Sequence, residues 1–172
     1  MSFAKEVISW DTIVSQSNEK PWLPNRAIKD YVCGVSSIRP FYQNESSIEG
    51  ITKGISSKKA EKIDRQLLIE VLKEQYTGID IDPSSINILA KDNTYTICTG
   101  HQLCLFTGPL FFVYKILSTI RLAEELRKSH PKYHFVPVYW MASEDHDFDE
   151  INHIHVFDEK VTWEDHQNGM VG

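Results

Sequence analysis

The pattern of hydrophobic positions changes character near residue 57 and again near residue 94. Residues 1–56 show little periodicity, and prolines, serines and asparagines alternate there with aromatic side chains. Disordered segments are poor in aromatic residues, so this stretch is predicted to be a loop-rich arm with short helices that docks through its aromatics. These aromatic residues are Trp10, Trp22, Tyr31, Phe41 and Tyr42.

Helical periodicity begins after this arm. Residues 57–76 combine good helix formers with apolar side chains at helical spacing, and Ser56 or Ser57 is the expected cap. The apolar stripe consists of Ile63, Leu67, Leu68, Val71 and Leu72, and Thr77-Gly78 ends the helix. A second, short helix is predicted to start at Pro83 with Asp82 as its cap, and it carries Ile86, Ile88 and Leu89.

A strand–helix–strand pattern occupies the rest of the chain. Residues 94–98 predict a strand, 99–107 a loop, and Gly108-Pro109 opens a helix to about Ser129 whose first half is apolar nearly all round and therefore expected to be buried. Residues 135–141 predict a second, buried strand, parallel to the first. Residues 155–157 and 161–163 flank 158–160 as a predicted hairpin.

One such unit leaves two strand edges unpaired and normally requires further strands to complete a sheet. Residues 57–172 are therefore predicted to be the start of a larger, truncated α/β domain that follows the arm of residues 1–56. The fold class expected is α/β.

Composition excludes several classes of partner. The 172 residues are 41% hydrophobic and 24% charged, as in an ordinary globular protein. A net charge of −6 argues against nucleic acid as the main partner, and no apolar stretch is long enough for a membrane span. The N-terminus lacks a signal pattern, so export is not expected. Three cysteines without CxxC spacing predict free thiols in a reducing cytoplasm.

Two polar segments follow the two predicted strands. The first contains Thr99, Gly100, His101 and Gln102, with Thr107, Gly108 and Pro109 at the next helix start. Glycine lets a backbone approach a ligand, and a helix N-terminus favours an anion. Thr107 or Gly108 is the expected cap, His101 can donate to a phosphate or carboxylate, and Gln102 can bind a polar substrate. A tight turn with an ordinary helix start is the alternative, since neither a Walker loop nor GxGxxG is present.

The second segment, residues 143–155, has a carboxylate or imidazole at about every second position and contains no Lys, Arg or Gly. Open α/β sheets place ligands just beyond the carboxyl ends of their strands. These side chains suit acid–base catalysis, Mg²⁺ binding, or Zn²⁺ binding through His146, His153 and His155. His153 and His155 would share one face of a strand. The alternative for this segment is an acidic surface turn. Lys115, in the intervening helix, either contacts a phosphate or extends its ammonium to solvent.

Together these segments resemble the family of the bacillithiol biosynthesis cysteine-adding enzyme, BshC. The resemblance rests on TGHQLCLFTGPL at residues 99–110, Tyr114-Lys115, LAEEL at 122–126, and VPVYWMASEDHDFDEINH at 136–153. It covers residues 94–157 closely and the arm more loosely. The chain departs from the family pattern at His101, where many relatives carry Gln in a Gly-Gln-Gln run, which puts in doubt any role that needs an imidazole there.

The resemblance implies a Rossmann-like core, similar to nucleotidyltransferases, with a parallel sheet that is incomplete in this chain. It implies a cytoplasmic ligase that joins L-cysteine through its carboxylate to the amine of glucosaminyl-malate, giving the thiol bacillithiol. Family members are much longer and form homodimers through a coiled coil. ATP or another nucleotide is the candidate cofactor, and activation through an adenylate or an acyl phosphate stays open.

Amide formation needs an activated carboxylate, an anion clamp and a base. The resemblance makes Asp145, His146 and Asp147 the candidate catalytic residues, which would bind sugar hydroxyls or the substrate ammonium or act as base. The substrate-binding candidates are Gly100, His101, Gln102, Thr107, Gly108, Pro109, Lys115, Ser143, Glu144, Glu150, Asn152 and His153. Glu144 and Glu150 are equally suited to orient neighbours, Asn152 and His153 are expected behind the substrate contacts, and no metal site is expected.

Two further hypotheses come from other functional classes. A metal-dependent hydrolase would use His146, Asp147, His153 and His155 as its site. A non-catalytic fragment would bind a partner through the aromatic arm of residues 1–56.

Overall fold

A computed structural model describes residues 26–59, 61–166 and 169–171. The chain divides into two compact units, one that ends at Lys62 and one that begins at Ile63. The predicted boundary at residue 56 stays a prediction. Trp10 and Trp22 of the arm lie outside the described residues.

The described part of the first unit consists of short helices joined by turns. Helix α1 spans Arg26–Val32, a 3₁₀ helix spans Ser36–Phe41, and α2 spans Ile48–Lys59. The rings of Tyr31 and Tyr42 meet edge to face at 4.8 Å, and the Tyr31 hydroxyl donates to the Asn44 carbonyl. The helical content predicted for the arm is therefore present in these residues.

The second unit has an α/β architecture. In chain order it contains α3 (Arg65–Gln75), α4 (Ser84–Asn87), a 3₁₀ turn (Ile88–Ala90), β1 (Thr94–His101), a second 3₁₀ turn (Leu105–Thr107), α5 (Leu110–Ser129), β2 (His134–Met141), α6 (Phe148–Ile151), β3 (His153–Val156) and β4 (Glu159–Thr162). Strands β1 and β2 are parallel, which confirms the predicted strand–helix–strand unit. Strands β3 and β4 form the predicted antiparallel hairpin, and its turn at Phe157 and Asp158 is shorter than expected.

The first helix of this unit begins later than the sequence pattern suggested. The prediction of one helix over residues 57–76 is wrong, because α2 ends at Lys59 and α3 begins at Arg65. The Asp64 carboxylate accepts a hydrogen bond from the Leu67 amide at 3.0 Å, and this cap fixes the start of α3. The predicted cap at Asp82 is confirmed, since its carboxylate accepts from the Ser84 amide at 2.9 Å.

The buried face of α3 also differs from the predicted stripe. Ile69 is buried and Leu72 packs against the core, whereas Leu67 is 56% exposed. Ile69 lies four residues after Arg65 and three before Leu72, so these side chains share one face of the helix. The predicted stripe therefore shares only Leu72 with the packed face, and its members Leu68 and Val71 are exposed, as Leu67 is.

Hydrophobic side chains pack on both faces of the parallel sheet. On one face Val136 contacts a cluster of Ile69, Ile86 and Leu89 from α3, α4 and the turn after it. On the other face α5 packs against both strands, with Ala123 and Leu126 fully buried. The sheet is thus the middle of three layers.

The first half of α5 is not buried as predicted. Leu110, Tyr114 and Leu117 are 68%, 61% and 55% exposed. A two-stranded sheet covers only one side of a helix, so the apolar residues on the opposite side have no layer against them in the described residues. None of the helices within residues 26–59, 61–166 and 169–171 is long and apolar enough to cross a membrane.

The Arg65 side chain joins α3 to the sheet. Its guanidinium donates to the carbonyls of Leu89 at 2.8 Å and Thr94 at 3.1 Å. An ammonium has no fork with which to reach both acceptors, so Arg65→Lys is expected to lower the free energy of unfolding by about 1–3 kcal/mol. Urea unfolding would measure this change in the free energy of unfolding. Arg121→Lys, at an exposed ion pair with Glu125, is the matched control and should change stability by about 0.5 kcal/mol or less.

Candidate functional site

The two polar segments emerge side by side because β1 and β2 are parallel and in register. Gly100 pairs with Trp140 and His101 with Met141, so both strands end at the same edge of the sheet. The Ala142 amide and the Tyr139 hydroxyl both donate to the His101 carbonyl, at 3.2 Å and 2.7 Å. The structure therefore brings together residues that the sequence separates by about forty positions.

A hydrogen bond between Gln102 and Glu150 links the two segments directly. Gln102 is only 2% exposed, and its Nε2 donates to Glu150 Oε2 at 3.1 Å, with a longer contact of 3.5 Å to the Asp147 carbonyl. The two residues are 48 positions apart. Gln102 Oε1 is buried and has no hydrogen-bond partner among the residues that the structure describes.

Two glycines are required by geometry at this edge. A Cβ on Gly100 would lie 3.0 Å from the Trp140 carbonyl oxygen, so a side chain there would push the parallel strands apart. Gly108 has φ +62° and ψ −156°, a conformation that residues with a Cβ essentially do not adopt. Gly108 thus turns the chain sharply from the end of β1 into α5.

The helix start itself differs from the expectation. Neither Thr107 nor Gly108 caps α5: Pro109 is the N-cap residue and provides no side-chain hydrogen bond. The Phe112 amide donates to the Pro109 carbonyl at 2.9 Å. The cap prediction was wrong because Gly108 adopts a turn conformation and proline has no side-chain acceptor.

Lys115 is turned toward the backbone of β1. Its Nζ donates to the Gly100 carbonyl at 2.5 Å and lies 5.9 Å from the centre of the Phe111 ring. The ammonium therefore fixes the end of β1 against α5. A phosphate contact by Lys115 would compete with this hydrogen bond.

His101 lies among aromatic rings rather than in open space. Its ring centre is 5.2 Å from that of Phe111 and 5.7 Å from that of Phe112. Its Nδ1 is 2.9 Å from the Gln102 carbonyl, and because a carbonyl only accepts, Nδ1 carries the proton. Cys104 Sγ is 3.5 Å from the same nitrogen. The imidazole thus packs against α5 and contacts the loop that follows β1.

The predicted catalytic residues stand on the exposed side of the second segment. Asp145, His146 and Asp147 are exposed, as are Ser143 and Glu144. The Asp145 carboxylate accepts from the His146 amide at 2.7 Å, and Glu144 Oε1 accepts from the Trp140 indole at 3.3 Å. Of the three, Asp147 is the one whose backbone approaches Gln102.

Asn152 and His153 lie at the start of the hairpin. Asn152 is 7% exposed, its Oδ1 is 3.1 Å from His153 Nδ1, and its carbonyl accepts from the Trp163 amide at 2.7 Å. His153 and His155 share a face of β3 as predicted, with ring centres 5.6 Å apart. Within the described ranges, no group of three or more His, Cys, Asp or Glu residues is placed to hold a metal, so the hydrolase hypothesis lacks its ligand set there.

Three residues of this region were absent from the sequence prediction. Tyr139 anchors the end of β1, the Trp140 indole holds Glu144, and Cys104 packs beneath Gly108. The two aromatics belong to the strand that precedes the acidic segment. Their position at its carboxyl end was the available signal, and their polar tips make contacts that only the strand register reveals.

The Cys104 thiol is expected to react slowly with alkylating reagents. Burial raises its pKa, and the negative charge of Glu150 raises the pKa further. A higher pKa lowers the thiolate fraction at neutral pH, and the thiolate is the reactive form. Iodoacetamide labelling at about pH 7.5, followed by peptide mass spectrometry, should modify exposed Cys33 and Cys98 several-fold faster, and equal rates would contradict the burial of Cys104.

Comparison with known proteins shows the family of this chain. Residues 11–172 match the family model described as bacillithiol biosynthesis BshC, N-terminal Rossmann-like domain. Proteins named "Putative cysteine ligase BshC" are 45% identical over 153 residues in Flavobacterium johnsoniae and 42% identical over 162 residues in Flavobacterium psychrophilum. These alignments cover 86% and 91% of this chain but 29% and 30% of the relatives, so the chain spans less than a third of their length. The chain belongs to the BshC family and carries its N-terminal Rossmann-like domain.

Proposed function

We propose that this domain contributes the substrate site of a ligase that joins L-cysteine, through its carboxylate, to the amine of glucosaminyl-malate and so forms bacillithiol. The hydrogen bond between buried Gln102 and exposed Glu150 is the observation that carries this proposal, because it joins both polar segments where Rossmann-like sheets bind ligands. The names of the family and of its curated relatives support the same role.

Each segment has chemistry that the reaction needs. Helix α5 begins without a side-chain cap, so its first amides can bind the malyl carboxylates or a phosphate, with Thr107, Gly108 and Pro109 shaping the approach. Asp145, His146 and Asp147 are exposed and can bind sugar hydroxyls or accept the proton of the attacking amine. ATP or another nucleotide would activate the cysteine carboxylate. The whole enzyme would be a homodimer in the cytoplasm.

A chimeric enzyme tests the reaction. The matched segment of the Flavobacterium johnsoniae relative is replaced by this chain, and the product is incubated with L-cysteine and glucosaminyl-malate, with and without ATP. Bacillithiol measured by mass spectrometry is the expected result. A folded chimera that makes none, while the unmodified relative is active, would contradict the proposal and favour a fragment that only binds a partner.

The catalytic candidates are tested in the same chimera. His146→Ala and Asp147→Ala are expected to lower kcat by about 10²-fold or more, the usual contribution of a positioned acid or base. Exposed His166 provides the matched control, and His166→Ala should leave kcat unchanged. Stoichiometric Zn²⁺ or Mn²⁺ that is lost on His146→Ala would instead favour the hydrolase hypothesis.

A further inference from the structure

We infer that Gln102 and Glu150 together form the binding site for a primary ammonium group of the substrates. This inference rests on the proposed function and deepens it. It assigns the ammonium contact to the hydrogen-bonded pair that links the two segments, rather than to the side chains of residues 145–147.

The unpaired oxygen of Gln102 is the first reason. A carboxylate only accepts hydrogen bonds, so the atom of Gln102 that faces Glu150 must be the Nε2 donor. The other amide atom, Oε1, is then an acceptor that is buried without a partner among the described residues. An orphaned buried acceptor destabilises a protein, so such a group is expected to meet a donor from outside.

Glu150 is also distinguished from the other carboxylates of its segment. Glu144 is held by the Trp140 indole, and Asp145 accepts the amide next to it. Glu150 is the one whose carboxylate is held by a nearly fully buried side chain from the other strand. Because one oxygen of Glu150 is fixed by Gln102, the position of its second oxygen is restricted, and the residue remains exposed to an incoming ligand.

The charge of the pair selects a cation. In the part of the chain that the structure describes, no lysine or arginine forms an ion pair with Glu150. Lys115, on the neighbouring helix, is engaged by the Gly100 carbonyl. The Glu150 carboxylate and the amide oxygen of the Gln102 side chain that is bonded to it are both acceptors, and an ammonium has three N–H donors to offer them.

Both proposed substrates carry a primary ammonium group. Matched ligands that lack this group show which of the two substrates binds through it. L-cysteine is compared with 3-mercaptopropionate, which lacks the ammonium. Glucosaminyl-malate is compared with its N-acetylated form, in which the amine is blocked. The substrate whose amine occupies this site should bind more weakly when the amine is removed or blocked. This loss of affinity should be seen when Glu150 is present and not in Glu150→Gln.

The decisive variants are Glu150→Gln and Gln102→Met, with Asp149→Asn as control. Asp149 lies on the same short helix, is exposed, and loses the same charge on substitution. In the chimera, Glu150→Gln is expected to raise KM for one substrate about tenfold or more and leave KM for the other unchanged. Gln102→Met should act in the same direction. Asp149→Asn should change neither KM.

Equilibrium binding separates this inference from the ligase proposal. Calorimetric titration of the four ligands into each folded chimera requires no turnover. Weaker binding of one amine to Glu150→Gln, with binding to Asp149→Asn unchanged, supports the site even if no bacillithiol forms. If Glu150→Gln binds and turns over both substrates like Asp149→Asn, the inference is wrong even in an active ligase. Because Glu150 is exposed, Glu150→Gln is expected to fold, and it tests the inference even if Gln102→Met does not fold.

Discussion

Replacing Gly108 with alanine is expected to lower the free energy of unfolding by about 2–6 kcal/mol, since backbone strain and overpacking each contribute about 1–3 kcal/mol. The backbone at Gly108 lies at φ +62° and ψ −156°. An added Cβ would lie 2.5 Å from Cys104 Cβ and 2.9 Å from its Sγ. Rotation of the Cys104 side chain can relieve the contact with Sγ, but the contact with Cβ can be relieved only by moving the turn that leads from β1 into α5. Chemical unfolding followed by circular dichroism measures the effect.

Two controls separate the effect of backbone strain at residue 108 from the effect of the contact with Cys104. Gly78 also has a positive φ, of +82°, but no atom of the described residues lies within 4 Å of the position that a Cβ would take there. Gly78→Ala should therefore show only the conformational cost of about 1 kcal/mol. Cys104→Gly combined with Gly108→Ala removes the contacts and should recover part of the loss. If Gly108→Ala is no more destabilising than Gly78→Ala, the turn is not packed against Cys104.

The second large effect is expected for Leu126→Ala, which should destabilise the protein by about 2–5 kcal/mol. Leu126 is fully buried on the face of α5 that packs against the sheet. Alanine has the higher helix propensity, so the loss reflects the cavity and the lost burial rather than the helix itself. Urea unfolding of the variant gives the difference directly.

Leu117 in the same helix provides the matched control. It is 55% exposed, and Leu117→Ala should change stability by less than about 1 kcal/mol. The comparison uses the same substitution in the same helix at two exposures. Equal losses at both positions would show that the apolar outer face of α5 is covered in solution, contrary to the exposure of Leu117 in the structure.

Much of the element order could be predicted from local pattern. The alternation and β-branched residues of β1, the proline that starts α5, and the apolar run of β2 each specify their own conformation over a few residues. The family resemblance of residues 99–110 and 136–153 likewise depended on short segments in order. The start of α3 was missed because Asp64 was not recognised as a cap, although its carboxylate at the third position before Leu67 was available in the sequence.

Burial was predicted less well than conformation. The apolar first half of α5 was expected to be buried, and yet Leu110 and Tyr114 are largely exposed. Hydrophobicity shows which residues gain from being covered, but whether they are covered depends on the layers that surround the helix. The two-stranded sheet supplies a layer on one side.

The sequence by itself indicated the two segments that we propose carry the chemistry, because both follow predicted strands and both contain polar side chains. Only the tertiary structure decided how they meet. The parallel register places His101 beside Met141, and Gln102 then reaches Glu150, 48 residues away. The tertiary structure also directs the Lys115 ammonium to the Gly100 carbonyl, and it leaves Oε1 of Gln102 without a partner among the described residues. Such contacts depend on distances between residues remote in sequence, which local periodicity does not encode.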